Sequence, residues 1–189
     1  MKINYIYANL PSYRREFFTG LSMVLKSRGF DFEVLHGILT DKKVVIQDDN
    51  GDYHKKGFIS RDNKIGPINL TVIRKLHHYI KEKRPDAIVI SYMPTNLTML
   101  KIALYCVRKK IPYATWRCGY NRPDYSSTSA KIRQILIGFV EKKSVLNISY
   151  GSYYKKKLEE KGIPSDKIII AQNTINVEKI LEDNKNFKK

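Results

Sequence analysis

A chain of 189 residues with 42% hydrophobic content is close to the size of one domain and carries enough apolar mass for a core of its own. Its two cysteines, Cys106 and Cys118, are too few for a disulfide framework and have no second Cys or His at metal-ligand spacing, so reduced thiols are expected and a metal site is not. The formal charge of +17 favours polyanionic partners, namely nucleic acid, phosphorylated substrates or an anionic membrane surface, and sign alone does not choose among them.

Met1 to Tyr7 lacks a basic leader followed by a long apolar region, and the longest purely apolar run is only Ile102 to Val107. A cytoplasmic chain without a membrane-spanning helix is therefore expected. Ile3 to Ala8 reads as a first strand. After a Pro-Ser loop, Phe17, Phe18, Leu21, Val24 and Leu25 recur at helical spacing and Gly29 closes the helix. Asp31 to Leu35 is a second strand. Val44 to Ile46 and Tyr53 to Ile59 flank the turn Asp49-Asn50-Gly51-Asp52, which predicts a hairpin insertion or edge hairpin. Beyond Pro67, Ile73, Leu76, His77 and Ile80 share a helix face that ends at Pro85.

Ala87 to Ser91 is the next strand, followed by Asn96 as an N-cap and a helix burying Leu97, Leu100, Leu104 and Val107. Tyr113 to Cys118 restarts the pattern after Pro112. Ile132, Ile135, Leu136, Phe139 and Val140 form a helix stripe, and Val145 to Ser149 another strand. Ser152 caps a helix ending at Gly162, and Lys167 to Ala171 is the last strand. Strands separated by single helices imply right-handed βαβ units. The expected fold is α/β: a Rossmann-like, mostly parallel twisted sheet with helices on both faces and one β-hairpin insertion.

Motifs of several enzyme classes are missing. There is no Gly-x-Gly-x-x-Gly after the first strand, no Gly-Lys-Ser/Thr phosphate loop and no Gly-x-Ser-x-Gly elbow. His77 and His78 are adjacent, so on a helix they point to different faces and do not clamp one metal. In open parallel sheets ligands bind beyond the carboxyl ends of the strands. The loop after the first strand offers Ser12, Tyr13, Arg14 and Arg15, where helix-start N–H groups and two guanidiniums suit a phosphate; two solvated arginines are the plain alternative. Tyr92 follows the 87–91 strand, Arg117 ends the 113–118 strand as a cleft residue or an edge charge, and Tyr120 lies in the turn-rich loop beyond it. The run Lys155 to Lys157 reads mainly as a solvated helix face.

The stretch from Ser149-Tyr150-Gly151-Ser152 through Gly162-Ile163-Pro164 to Ile168-Ile169-Ile170-Ala171-Gln172-Asn173-Thr174-Ile175-Asn176 resembles GT-B glycosyltransferases of the family-4 type, and Leu10 to Phe18 resembles their first loop and helix. The resemblance implies a two-domain retaining enzyme that builds a cell-surface polysaccharide, on a lipid-linked or saccharide acceptor, at the inner membrane face. Residues 1–176 would be its acceptor-binding domain and 177–189 a linker to a donor-binding domain. Ser12, Tyr13, Arg14, Arg15, Tyr92, Arg117, Tyr120 and Ser152 would contact acceptor or phosphate, and Asn173 would enter the interdomain crossing. The nucleotide-sugar is then a co-substrate, with no cofactor implied. The competing class is a non-catalytic polyanion-binding module, favoured by the charge and by 13 tyrosines able to stack on bases; no nucleic-acid motif accompanies them. A flavodoxin-like nucleotide-binding regulator shares the fold but would need a phosphate loop rich in Gly, Ser or Thr.

Overall fold

The computed structural model describes residues 1–39, 51–65, 68–117 and 128–172. β1 (Lys2–Tyr7) leads through a short 3-10 turn (Ser12–Arg14) into α1 (Arg15–Ser27), followed by β2 (Asp31–Leu39), β3 (His54–Ile65) and β4 (Ile68–Ile73). Then come α2 (Leu76–Lys83), β5 (Ala87–Ile90), α3 (Leu97–Lys109), β6 (Tyr113–Arg117), α4 (Thr128–Lys143), β7 (Leu146–Ser149), α5 (Ser152–Glu160) and β8 (Ile168–Ile170). The strands form one eight-stranded sheet in the order β4-β3-β2-β1-β5-β6-β7-β8. Every pairing is parallel except β3 with β4.

From β1 the chain steps outward to β2 on one side, and from β5 it steps outward to β8 on the other. With right-handed crossovers, that reversal sends α1 to one face and α3, α4 and α5 to the other. Side-chain alternation along β1 agrees, since neighbouring residues of a strand point to opposite faces. Tyr5 packs into an aromatic cluster with Phe18, Phe32, Tyr53 and Trp116, beneath α1. Ile6 belongs to an aliphatic core with Leu76 and Ile80 of α2, Met99, Ile102 and Cys106 of α3, and Ile137 and Val140 of α4. Burial pushes the Cys106 thiol up to about 12, so it is an inert core residue.

The helix ends follow from local chemistry. Asn96 caps α3 by accepting from Met99 N at 3.1 Å. At the end of α5, Gly162 takes φ 79, its N–H bonds Glu159 O, and Ile163 N bonds Leu158 O, which completes a Schellman turn with Ile163 packed on Leu158. Lys110 adopts the same left-handed region after α3, at φ 56, without glycine's freedom. Gly162→Ala is expected to cost about 1 kcal/mol and Lys110→Gly to gain about 0.5–1 kcal/mol, measured by urea denaturation. Equal stability of both variants would contradict this reading of the caps.

Several expectations change. A hairpin of β3 and β4 lies at the sheet edge, and β3 also runs parallel to β2. The partner expected for Tyr53 to Ile59, Val44 to Ile46, lies outside the described residues, as do Asp49 and Asn50 of the turn between them. Ile73 is a buried strand residue and not part of α2. Its spacing to Leu76 and Ile80 mimicked a helix face, while the β-branched run Thr71-Val72-Ile73 gave the strand its packing preference. In α4 the core side is Ile137 and Val140, whereas Ile132, Ile135 and Phe139 are exposed. Finally, Gly151 occupies the N-cap position of α5, without a side-chain cap, and Ser152 is an exposed first helical residue.

Candidate functional site

At the carboxyl ends of β1, β5, β6 and β7 the strands surround a cleft of about 390 Å³. It straddles the point where strand order reverses, between β1 and β5, which is where an open α/β sheet leaves room for a ligand. Its size falls within the range of small-molecule sites. Tyr7 and Ala8 line it from β1, Ser91 to Pro94 from the end of β5, Trp116 and Arg117 from β6, and Tyr150 from the end of β7. Tyr13 and Arg14 close it from the 3-10 turn.

Arg14 is the centre of this arrangement. Only 2% of it is exposed, and rings of Tyr13, Phe17, Trp116 and Tyr150 lie 5.4–5.8 Å from its guanidinium carbon. One Nη donates to Tyr150 Oη. Burial opposes its charge, yet the phenol oxygens of Tyr150, Tyr7 and Tyr13 hold its pKa above the usual value. No carboxylate pairs with it among the described residues. Its Nε, Trp116 Nε1 and Tyr92 Oη are buried without a hydrogen-bond partner among the described residues. A buried cation and three unpaired polar atoms in one wall carry a desolvation cost that an anionic ligand offsets.

Arg117 plays a different part. Its Nη1 lies 2.8 Å from Glu141 Oε1 of α4 and 3.0 Å from Tyr154 Oη of α5. Glu141, 1% exposed, also accepts from Tyr154 Oη and from Lys161 Nζ at 3.1 Å. The cluster ties β6, α4 and α5 together and neutralises Arg117, so among the described lining residues Arg14 is the uncompensated cation. Among the described residues, none of the lining side chains is a carboxylate or an imidazole, and no group of three His, Cys, Asp or Glu able to hold a metal occurs. The described part of this wall offers aromatic rings, phenols and a guanidinium, groups suited to binding and orienting a ligand.

Burial raises Tyr7 and Tyr92 from the ordinary phenol value of 10.0 to about 12. The folded protein therefore keeps protons that the unfolded chain releases above pH 10.0. The contribution of these phenols to stability is expected to be complete below about pH 10 and to vanish as pH rises through about 12. Thermal melts with phenolate absorbance check this, and full ionisation near pH 10 in the folded state would contradict it.

Of the residues expected from sequence, Tyr13, Arg14, Tyr92 and Arg117 line the cleft. Arg15 begins α1, half-buried, and Ser152 is exposed at the start of α5; neither is a lining residue. Ser12 sits in the 3-10 turn beside the cleft, while Tyr120 and Asn173 lie outside the described residues. Tyr7, Trp116 and Tyr150 were not expected. Their signal was position, since each stands at or just beyond the carboxyl end of a strand.

No protein-family model and no curated protein matches the sequence. Solved structures share the fold. One is UDP-GlcNAc 2-epimerase from Neisseria meningitidis bound to UDP-GlcNAc, with TM-score 0.59 and 16% identity over 100% of this chain and 50% of that one. Another is HepE from Anabaena in complex with UDP and glucose, with TM-score 0.59 and 12% identity over 94% of this chain and 46% of that one. The lipopolysaccharide outer core galactosyltransferase WaaB in apo form gives TM-score 0.53 and 12% identity over 94% of this chain and 47% of that one. The chain spans about half the length of each. At such identities the likeness is one of architecture, and the mostly parallel eight-stranded sheet is a GT-B-like α/β fold.

Proposed function

We propose that this chain is the acceptor-binding half of a retaining, family-4-type glycosyltransferase, acting on a cell-surface polysaccharide or a lipid-linked acceptor. The observation that carries the reading is Arg14, a buried guanidinium without a carboxylate partner among the described residues, boxed by aromatic rings in the switch-point cleft. Aromatic faces suit the apolar side of a sugar ring, and the cation suits the phosphate of a lipid-phosphate carrier. The absence of carboxylate and imidazole from the described lining residues fits a wall that positions the acceptor while the donor is held elsewhere. UDP-GlcNAc in one structural neighbour, and UDP with glucose in another, support a nucleotide-sugar as co-substrate. In this reading the protein works at the cytoplasmic membrane face, and Asn173 leads toward the donor-binding half.

The test is titration of a short-chain polyprenyl-phosphate sugar into the wild-type chain and Arg14→Ala. A charge-assisted hydrogen bond is worth about 1.5–3 kcal/mol, so affinity is expected to fall roughly 10- to 150-fold. Trp116→Ala should weaken the same ligand, and Arg15→Ala should change it little. Arg14→Ala binding as tightly as wild type would remove the role assigned to this cleft.

A further inference from the structure

α4 is apolar on two sides. With 3.6 residues per turn, Ile132, Ile135 and Phe139 fall within an arc of about 60°, opposite the side that buries Ile137 and Glu141. They are 53%, 71% and 37% exposed. On the neighbouring α3, Leu104 is also exposed, between Lys101 and Arg108, and that side lies opposite Met99, Ile102 and Ala103. The two helices contact each other and share one core on the same face of the sheet, so these outer sides form a common surface.

The charges around this surface have one sign. Lys101, Arg108 and Lys109 of α3 and Lys131, Lys142 and Lys143 of α4 are all exposed. Glu141 is the one acidic residue of the two helices, and it is 1% exposed and bonded to Arg117 and Lys161. An apolar stripe flanked by lysines is the pattern of a helix lying in a membrane interface, the stripe among the acyl chains and the ammonium groups at anionic headgroups. A protein partner would have to meet the same positive rim with acidic residues, and a second copy of this surface would bring its own lysines against it.

We infer that the outer face of α3 and α4 docks on an anionic lipid bilayer, with Ile132, Ile135 and Phe139 entering it. This uses a surface other than the cleft and stands whatever the cleft binds. The N-terminal ends of both helices follow the carboxyl ends of β5 and β6, so docking places the cleft rim beside the membrane.

Co-sedimentation with phosphatidylcholine vesicles, with and without phosphatidylglycerol, tests the inference on the chain, with a single-stranded oligonucleotide measured in parallel. The wild type is expected to bind the phosphatidylglycerol vesicles, more weakly at high salt, and to bind pure phosphatidylcholine least. Ile135→Asp should lower partitioning by about ten-fold or more, and Lys142→Glu with Lys143→Glu should abolish most of the phosphatidylglycerol dependence. Ile132→Ser with Phe139→Ser is the second apolar variant. These positions are exposed, so cooperative melts should persist. Unchanged vesicle binding by both apolar variants would overturn the inference. So would tighter binding to the oligonucleotide than to vesicles at physiological salt, or a lipid-free dimer that Ile135→Asp dissociates. None of these outcomes touches the titration of the cleft with a soluble acceptor, so the two readings fail separately.

Discussion

Glu141→Ala is expected to lower folding stability by about 3–5 kcal/mol, the cost of stranding a buried charge whose partner has gone. Glu141 receives Arg117 and Lys161 on its two oxygens and Tyr154 on the first of them. The Lys161 side chain is 30% exposed and can turn to water, but that of Arg117 is 10% exposed and cannot do so without disturbing β6. The double variant Arg117→Met with Glu141→Leu should be less destabilised than Glu141→Ala, because it removes the stranded guanidinium and leaves only a neutral buried group, the Tyr154 hydroxyl, without its partners. Urea midpoints at unchanged m-value measure both variants. A loss below about 1 kcal/mol for Glu141→Ala would mean that water reaches the cluster and that it does not hold α4 and α5 to the sheet.

The second large effect is catalytic. The chain is expected to fold cooperatively and to transfer no sugar. The aliphatic core and the aromatic cluster cover the two faces of β1 from within this chain, so the fold has its own support. Transfer also requires a donor fixed against the acceptor, and such positioning is worth on the order of 7–11 kcal/mol. The described lining residues include no carboxylate or imidazole to serve as acid or base. Turnover assays with nucleotide-sugars and a lipid-linked acceptor, run beside a thermal melt, check both halves. Turnover by the chain would show that chemistry as well as binding resides on this wall.

Much of this architecture is legible in the sequence because each βαβ unit carries local punctuation. Gly29 and Gly162 take the positive φ that ends their helices, and Asn96 caps α3. Legibility fails where a local pattern has two physical readings. Ile73, Leu76 and Ile80 fit one helix face, although Ile73 is in β4, because spacing by three and four residues says nothing about where an extended segment ends. The stripe Ile132, Ile135 and Phe139 has core spacing yet faces outward, since only the tertiary fold decides which of two apolar sides meets the sheet. For the site, the strand-end rule located the cleft and Arg14 lies in it. The partners of Arg14 were beyond reach, because Tyr150 is 136 residues away and meets it only after β7 is laid down three strands from β1. The pairing of Arg117 with Glu141 spans 24 residues and two elements, and nothing in either segment alone announces it.

The most direct test of the central claim, that this wall receives the acceptor while the donor is held elsewhere, is calorimetric titration of the chain with UDP-, GDP- and CMP-sugars beside the polyprenyl-phosphate sugar. The account predicts that the acceptor analogue binds through Arg14 and that nucleotide-sugars bind no more tightly than about millimolar, some 4 kcal/mol. Micromolar binding of any nucleotide-sugar, reduced by Arg14→Ala, would contradict it and make the aromatic box around Arg14 a donor site.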